Sequence, residues 1–365
     1  MMTERRKTKQ VSVGGVPVGG DAPISVQSMC NTKTSDVRAT VRQIEELEEA
    51  GCEIIRLAVD TEADARALAD IRKQTRIPIV ADIQERHDVA IEAIKRGADK
   101  LRINPGKLGS HEQVREVIRI AREKEIPIRI GVNAGSLGPE ILKRYHNRVT
   151  AEGMVESALD LIRFFEDNQF DNIVVALKAS SIERTIQAYE LLAEKVPYPF
   201  HIGLTEAGTI VRGTVNSSIA LGYLLYHGIG DTMRVSLTES PIKEVDVAWR
   251  ILTALGIRQR RADVFGCPTC GRTEIDVMRL IRKVEAFASG IEIPLSIGVM
   301  GCRVNGPGEA IEADLCVTGG RRGRAAIFRK GKRHVQTVDE KCVLQALIEE
   351  IRKIENERSG NDCAC

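Results

Sequence analysis

Three cysteines late in the chain stand in two short motifs that suit a metal centre. Cys267 and Cys270 form a Cys-x-x-Cys motif, and Cys302 follows an apolar run in the glycine-rich segment 300–309. Three thiolates from two loops are a common way to hold a 4Fe-4S cluster, in which one iron keeps a different or open ligand. Zinc with Cys316 as fourth ligand is the alternative. A dithiol redox motif is disfavoured because the thioredoxin-like βαβ context is missing.

A second set of candidate residues is cationic and lies within or at the ends of predicted strands. Its members are Arg56, Arg102, Arg129, Lys178 and Arg234. Burying an unpaired cation is costly, so a paired carboxylate explains any one of them equally well, but it explains all five together poorly. Guanidinium forks donate two parallel hydrogen bonds to phosphate oxygens. The set therefore predicts a small substrate with more than one phosphate.

Other polar residues accompany these cations at the strand ends. Asp82, Asn133 and Ser236 are predicted to bind substrate, and Glu206 is the candidate general acid because a carboxyl group among cations can move a proton. A counter-ion for an arginine is an equally good interpretation of Glu206 and of Asp82. The chain has no P-loop motif and no strand-linked Gly-x-Gly-x-x-Gly. ATP and a tightly bound nicotinamide are therefore not expected, and electrons must arrive by another route.

The elements that would position these residues alternate between short β-branched runs and longer amphipathic stretches. Eight strands, each followed by a helical pattern, favour an α/β fold of the (β/α)8 TIM-barrel type, whose active site lies at the carboxyl ends of its strands. The predicted strands are 24–29, 53–59, 77–82, 100–104, 127–133, 172–178, 200–205 and 232–237.

The character of the sequence changes after residue 256. We predict an N-terminal segment 1–22, a substrate-binding barrel 23–256, a small α+β cluster domain 257–358 and a disordered tail 359–365. In the second domain we expect a helix at 273–288, strands at 294–300, 313–317 and 325–329, and a closing helix at 339–355.

The overall composition narrows the class of protein. With 53 Lys and Arg against 51 Asp and Glu, the net charge does not indicate a nucleic-acid or membrane partner. No apolar run is long enough to span a membrane. Nine cysteines spread over 365 residues argue against a disulfide framework. We therefore expect a cytoplasmic protein with reduced thiols.

Several motifs together make the chain resemble the bacterial 4-hydroxy-3-methylbut-2-enyl diphosphate synthases of the non-mevalonate isoprenoid pathway. The resemblance covers nearly the whole chain, and its last two motifs are the most specific. The motifs are Gln-Ser-Met at 27–29, Arg-Ile-Asn-Pro-Gly at 102–106, Arg-Ile-Gly-Val-Asn-Ala-Gly-Ser-Leu at 129–137, Thr-Glu-Ala-Gly at 205–208, the Cys-x-x-Cys segment 266–270 and Asn-Gly-Pro-Gly-Glu at 305–309.

The resemblance implies a cofactor, a reaction and partners. Glu309 would be the fourth ligand of a 4Fe-4S cluster, and an oxygen donor can plausibly yield its iron to a substrate oxygen. The implied reaction opens 2-C-methyl-D-erythritol 2,4-cyclodiphosphate, removes an oxygen as water and takes up two electrons from ferredoxin or flavodoxin. The implied assembly is a homodimer in which each cluster serves the partner's barrel.

One position departs from the family pattern, and other functions stay open. Gln84 stands where related proteins usually have histidine, and His87 is a weak substitute because it is predicted to point elsewhere. The main alternative function is a zinc-stabilised barrel aldolase or pterin-type transferase with a structural C-terminal domain; another is an electron carrier or cluster scaffold. The segment 321–324, Arg-Arg-Gly-Arg, is interpreted as a solvated hairpin or, less readily, as a dock for an acidic electron donor.

Overall fold

The computed structural model describes residues 3–205, 208–304, 306–309, 311–330 and 332–361, apart from the side chains of Ser136, Glu309, Lys332, Arg333 and 359–361. The chain divides into two compact units, Met1–Arg258 and Gln259–Cys365. Within the described ranges, no helix is both long enough and apolar enough to cross a membrane.

The first unit contains a barrel of eight parallel strands, which confirms the predicted fold class. A parallel bridge between Val175 and Phe200 joins the two ends of the ladder. Around the barrel the strands follow their order in the chain. They are β3 (Ser25–Met29), β4 (Ile54–Ala58), β5 (Ile79–Asp82), β6 (Lys100–Ile103), β7 (Ile128–Asn133), β8 (Ile173–Lys178), β9 (His201–Ile202) and β10 (Thr232–Met233).

The helices of this unit pack their apolar faces against the outside of the barrel. In the first, Asp36 accepts a hydrogen bond from the backbone of Ala39, and Gly51 ends the helix at φ 103°. Ile44 and Leu47 are fully buried on its inner face. The helices are α1 (Val37–Ala50), α2 (Glu62–Arg72), α3 (His87–Lys95), α4 (Pro105–Leu108), α5 (His111–Glu123), α6 (Pro139–Arg144), α7 (Ala151–Asp167), α8 (Ile182–Ala193), α9 (Ile210–Tyr226) and α10 (Pro241–Ala254).

A short hairpin, β1 (Val11–Val13) and β2 (Val16–Val18), covers the amino-terminal end of the barrel. Its valines pack against Ile54, Val80 and Val174. Gly14 and Gly15 form the two-residue turn with φ of 55° and 92°, the left-handed conformation that glycine adopts readily. One end of the barrel is thus closed by apolar packing, so the functional residues lie toward the other end.

The second unit is a five-stranded mixed sheet with helices. The sheet order is β11 (Ala262–Gly266), β12 (Leu295–Met300), β13 (Leu315–Gly320), β14 (Arg324–Arg329) and β15 (Lys332–Asp339). The first three strands are parallel, and the last three are antiparallel neighbours. The helices are α11 (Val277–Ala288), α12 (Gly306–Glu309) and α13 (Val343–Asn361).

The second unit differs from its prediction at several elements. β11 and β15 were not predicted, and α11 begins at Val277 rather than at residue 273. The closing helix begins later than the predicted residue 339. Asp339 is the last residue of β15, and a 3-10 turn, Glu340–Cys342, precedes α13. α13 reaches Asn361, and residues 362–365 lie outside the described residues.

Candidate active site

Asp82 is the centre of the polar cluster inside the barrel. It ends β5, and its two carboxylate oxygens face arginines of the neighbouring strands. Arg102 donates to Asp82 Oδ1 at 2.9 Å, and Arg56 Nε lies 3.5 Å from Oδ2. Burial alone would raise the pKa of Asp82, but Arg56, Arg102 and Arg129 together outweigh it and hold that pKa below its ordinary value. Asp82 is therefore an ionised anchor for two cations.

Arg129 and Lys178 are buried cations with less compensation. Their exposed fractions are 2% and 7%, and two guanidinium nitrogens of Arg129, Nε and Nη1, have no hydrogen-bond partner among the described residues. Burial, followed by repulsion from neighbouring arginines, lowers the pKa of each group well below its ordinary value. An anion bound beside them would relieve both effects.

A glycine makes room for the lysine. A Cβ atom at Gly203 would lie 2.9 Å from Lys178 Nζ and 2.8 Å from the carbonyl oxygen of Arg234, closer than ordinary contacts allow. The strand that follows Lys178 around the barrel therefore cannot carry a side chain at this point without displacing the ammonium group. This gap allows Lys178 to lie across the interior beside the other cations.

Arg234 is held by a carboxylate that the sequence analysis did not single out. Glu244, on α10, is 4% exposed and lies 3.1–3.2 Å from Arg234 Nη2 through its two oxygens. It also accepts hydrogen bonds from Ser28 Oγ and from the backbone of Leu237. Met29 Sδ lies 2.8 Å from Arg56 Nη2 and 3.7 Å from Arg234 Nη1, between the two guanidinium groups.

The remaining predicted substrate residues divide into three cases. Asn133 is half-buried and is the register neighbour of Lys178 on the adjacent strand. Ser236 is half-buried and follows Arg234 by two residues, beyond the end of β10. Glu206, the candidate general acid, lies outside the described residues.

Gln84 has a defined contact at the position where the family pattern has histidine. Its amide nitrogen donates to Asp82 Oδ1 at 2.9 Å. His87 begins α3, and its ring nitrogen lies 3.5 Å from the Gln113 amide, so this histidine faces α5. Gln84 thus completes the contacts of Asp82, whereas the ring of His87 is engaged elsewhere.

Two further buried polar residues were missed by the sequence analysis. Lys100 and His201 are both fully buried, and Lys100 Nζ and both His201 ring nitrogens lack a partner among the described residues. Burial, followed by repulsion from cations that include Arg129, lowers both pKa values well below their ordinary range. For Lys100 the signal was its two-residue spacing from Arg102, which places both side chains on one face of β6.

The cysteines of the second unit lie on loops that leave one edge of its sheet. Cys267 follows β11 and Cys302 follows β12, and these strands are parallel neighbours with Gly266 opposite Val299. The backbone N–H of Gly301 donates to Cys267 Sγ at 3.1 Å. The loop segments before the two cysteines are therefore in direct contact.

Thr273 holds Cys270 close to Gly301, the residue before Cys302. Its hydroxyl accepts a hydrogen bond from the backbone of Cys270, and its side chain stands where a Cβ atom at Gly301 would lie 3.0 Å away. The two loops that carry the three thiols thus converge at the carboxyl edge of β11 and β12. Cys267 and Cys302 are half-exposed, Cys270 is exposed, and Cys267 receives a backbone N–H. Accessible thiols of this kind suit an iron-sulfur cluster, whose sulfurs accept such bonds.

The described side chains are not arranged around one ion. In the described part of the chain, no three His, Cys, Asp or Glu side chains come together closely enough to hold a single metal ion. A cluster is a larger body that takes its ligands on separate irons, so it spaces thiolates further apart. Glu309 ends α12, and its side chain lies outside the described set.

Comparison with known proteins gives consistent matches over both units. Residues 8–249 match the GcpE TIM-barrel domain, and residues 263–353 match the GcpE protein C-terminal domain. The protein named 4-hydroxy-3-methylbut-2-en-1-yl diphosphate synthase (flavodoxin) from Maridesulfovibrio salexigens is 50% identical over 98% of this chain and 100% of its own length. Its namesake from Geobacter sulfurreducens is 51% identical over 96% of this chain and 98% of its own length.

Solved structures extend the likeness of the barrel beyond this family. A Plasmodium falciparum HPPK-DHPS variant with pterin and p-hydroxybenzoate covers 68% of this chain and 49% of its own, with a TM-score of 0.50 and 12% identity. At this identity the match concerns the fold alone. By contrast, the two family domains and the near full-length relatives define the family. The chain belongs to the GcpE family, that of the 4-hydroxy-3-methylbut-2-en-1-yl diphosphate synthases.

Proposed function

We propose that this chain converts 2-C-methyl-D-erythritol 2,4-cyclodiphosphate into 4-hydroxy-3-methylbut-2-enyl diphosphate. The reaction opens the ring at a carbon–oxygen bond, expels one oxygen as water, and consumes two electrons together with the protons that complete the water. The membership of the family supports the reaction class. The charge of the barrel interior supports a diphosphate substrate. There the five predicted cations are accompanied by two carboxylates of the described residues, Asp82 and Glu244.

The excess of positive charge has a direct role in this reaction. A cyclic diphosphate carries its negative charge on two linked phosphates, and Arg129 and Lys178 have no described carboxylate bonded to them. Arg56 and Arg102, held by Asp82, supply fixed guanidinium forks beside them. Because these donors are already buried and oriented, substrate binding requires little reorganisation. Asn133 and Ser236 are proposed to complete the hydrogen bonds to the substrate.

The electrons require a redox group. The loops that carry Cys267, Cys270 and Cys302, which we call the cysteine edge, could hold one. We assign Cys267, Cys270 and Cys302 as thiolate ligands of a 4Fe-4S cluster, with Glu309 as the fourth ligand by family resemblance. When bound, the cluster supplies electrons one at a time and a Lewis-acidic iron. Glu206 is proposed to hold or deliver the proton needed when the departing oxygen leaves as water.

The electron donor is proposed from the relatives. Both relatives carry flavodoxin in their names, whereas the resemblance by itself left ferredoxin equally open. We assign a flavodoxin-type carrier as the donor of this chain.

A homodimer is proposed as the working assembly. α9 presents Val211, Val215, Ile219 and Tyr223 at four-residue spacing on one face, with exposed fractions of 74%, 52%, 52% and 40%. Its one charged residue is Arg212. An uncharged apolar stripe of this kind suits a self-complementary two-fold interface. Ile219→Glu should yield a monomer in light scattering, whereas Ile242→Glu, at an exposed apolar residue of α10, should not.

Mixing two impaired variants, assayed at a substrate concentration far below the Kd of the weaker-binding one, tests whether the site is shared between subunits. Cys302→Ser lacks a cluster ligand, and Arg129→Met lacks a barrel cation. The two variants are mixed under conditions that exchange subunits without unfolding them. If each cluster serves the partner's barrel, half of the resulting dimers are mixed and each mixed dimer holds one intact site. Activity should then return to about a quarter of all sites. No restoration after demonstrated exchange would place the cluster and its barrel in one subunit.

The function itself is tested by anaerobic turnover. Full-length protein reconstituted with iron and sulfide should absorb broadly in the visible region and convert the cyclodiphosphate when dithionite is the reductant. The product is identified by mass. Cluster-loaded protein that forms no product with dithionite would contradict the proposal, and so would colourless protein that stays fully active.

A further inference from the structure

The sheet order brings an arginine-rich turn to the cysteine edge. β11, β12 and β13 run parallel, so the turn after β13 leaves the sheet at the same edge as Cys267 and Cys302. A side chain at Gly319 would collide with the carbonyl oxygen of Gly301, the residue before Cys302. The backbone N–H of Glu340 donates to the carbonyl oxygen of Gly323 at 2.8 Å, which fixes the turn.

Five exposed arginines surround this edge, and we call them the basic edge. Its members are Arg272, Arg303, Arg321, Arg322 and Arg324. None of the five forms an ion pair with a carboxylate of the described residues. Arg324 makes one long contact, 3.4 Å, to the carbonyl oxygen of Thr337. The guanidinium groups are thus available to an outside partner.

Three carboxylates near this edge are engaged with the backbone, and a fourth, Glu274, is half-buried with its Oε2 atom enclosed. Asp276 caps α11 by accepting from the N–H of Arg279, and Glu340 accepts from the N–H of Asp276 at 2.8 Å. Asp339 accepts from the N–H of Lys341 at 3.1 Å. These hydrogen bonds hold the three carboxylates against the chain, so the arginines dominate what projects into solvent.

Two apolar side chains lie exposed at the same edge. Val304, two residues after Cys302, is 64% exposed, and Met278, in the first turn of α11, is 60% exposed. An apolar centre with a charged rim is the usual composition of a protein interface, and charge complementarity raises the rate and specificity of encounter. Cys270 is itself exposed here, so a docked partner would approach the thiol-bearing loops closely.

We propose that the basic edge docks the electron donor, an acidic carrier of the flavodoxin type, directly over the cysteine loops. This assignment rests on the proposed function. In each of two encounters the carrier loses one electron, and the two electrons together reduce one substrate molecule. Docking here places the donor beside the thiol ligands without using any barrel residue.

Charge reversal tests the docking site separately from the chemistry. The variant Arg321→Glu/Arg322→Glu/Arg324→Glu, in full-length cluster-loaded protein, is assayed with reduced flavodoxin and, in parallel, with dithionite. The KM for flavodoxin should rise at least tenfold at low salt, and the difference should shrink as added salt screens the charges. Turnover with dithionite, iron content and visible absorbance should stay within twofold of the unmodified protein.

A matched control carries the same change of charge elsewhere. Arg38→Glu/Arg115→Glu/Arg163→Glu reverses three exposed arginines on α1, α5 and α7 and should leave the KM for flavodoxin within twofold. An unchanged KM in the edge variant would overturn the docking assignment, as would an equal loss with dithionite while the cluster is intact. If the unmodified protein fails with dithionite, the proposed function fails first.

Discussion

The barrel interior and the cysteine edge are both suited to binding another group, but in opposite ways. In the barrel, Arg129 and Lys178 are buried on strands and fixed by packing. At the cysteine edge, Cys267 and Cys302 are half-buried and Cys270 is exposed, all on loops. A rigid, buried site can select an anion by charge and shape, whereas loops at a sheet edge can close around a preformed inorganic group.

The two regions also differ in how they affect the stability of the folded protein. Arg129 and Lys178 destabilise the barrel because, unlike Arg56, Arg102 and Arg234, they have no carboxylate bonded to them among the described residues. Exposed thiols at the sheet edge carry no such cost, and bonds to a metal centre would fix the loops that bear them. We therefore expect substitutions to act on substrate affinity in the barrel and on iron content at the edge.

The largest effect is expected for Cys267→Ser. It should abolish turnover with either reductant and remove most of the bound iron, because the proposed thiolate ligand and the backbone contact of Gly301 are lost together. Binding of the cyclodiphosphate, measured by calorimetry, should remain within threefold. Cys342→Ser, at an exposed cysteine outside the two motifs, is the matched control and should keep its iron. Full iron content in Cys267→Ser would contradict the ligand assignment.

Arg129→Met should show the converse behaviour. Loss of a buried bidentate donor to phosphate is expected to weaken substrate binding by about 2–3 kcal/mol, or roughly 30- to 150-fold in Kd. Iron content and visible absorbance should not change. Arg115→Met, at an exposed position of α5, controls for loss of charge. Calorimetric binding within threefold of the unmodified protein would show that Arg129 does not contact the substrate.

Sequence patterns predicted the barrel well because its strands are nearly continuous β-branched runs. They overestimated β9 and β10, each of which has two residues in the ladder. Beyond β10 one backbone bond to the neighbouring strand continues, because the N–H of Arg234 donates to the carbonyl oxygen of Ile202 at 3.0 Å. The hairpin of β1 and β2 was overlooked, although Gly14-Gly15 between two valine pairs is a hairpin signal.

Parts of the site depend on contacts that no local pattern contains. Glu244 lies on a helix distant in sequence from β3, yet it binds Ser28 and Arg234. Whether Asp82 is an anchor or an acid could be decided only by the positions of Arg56 and Arg102. The motif of Cys267 and Cys270 was readable because only two residues separate its cysteines, but the approach of β13 to this edge required the sheet order.

Lys100→Met should have a smaller effect, and it tests how the burial of the Lys100 ammonium group changes the free energy of unfolding. The pKa of Lys100 is lowered in the folded protein, so between that lowered pKa and the ordinary lysine pKa of 10.5 the unfolded chain binds the extra proton. The free energy of unfolding should therefore rise with pH in this window, by at most about 1.4 kcal/mol per pH unit for one proton. Urea unfolding of ligand-free Lys100→Met should show a shallower rise. An identical pH slope would mean that Lys100 stays protonated when folded.

The smallest effect is expected for Gln84→Ala. It removes one hydrogen bond to Asp82, about 1 kcal/mol, while Arg56 and Arg102 still hold the carboxylate, so kcat/KM should fall less than tenfold. Gln84→Glu keeps the shape but replaces the donor with a negative charge 2.9 Å from Asp82 Oδ1. That charge should raise the pKa of Asp82 and shift the acid limb of the pH–rate profile upward, an effect that Gln84→Ala should not produce. Equal pH–rate profiles for both variants would show that Gln84 does not affect the pKa of Asp82, which the barrel cations alone would then determine.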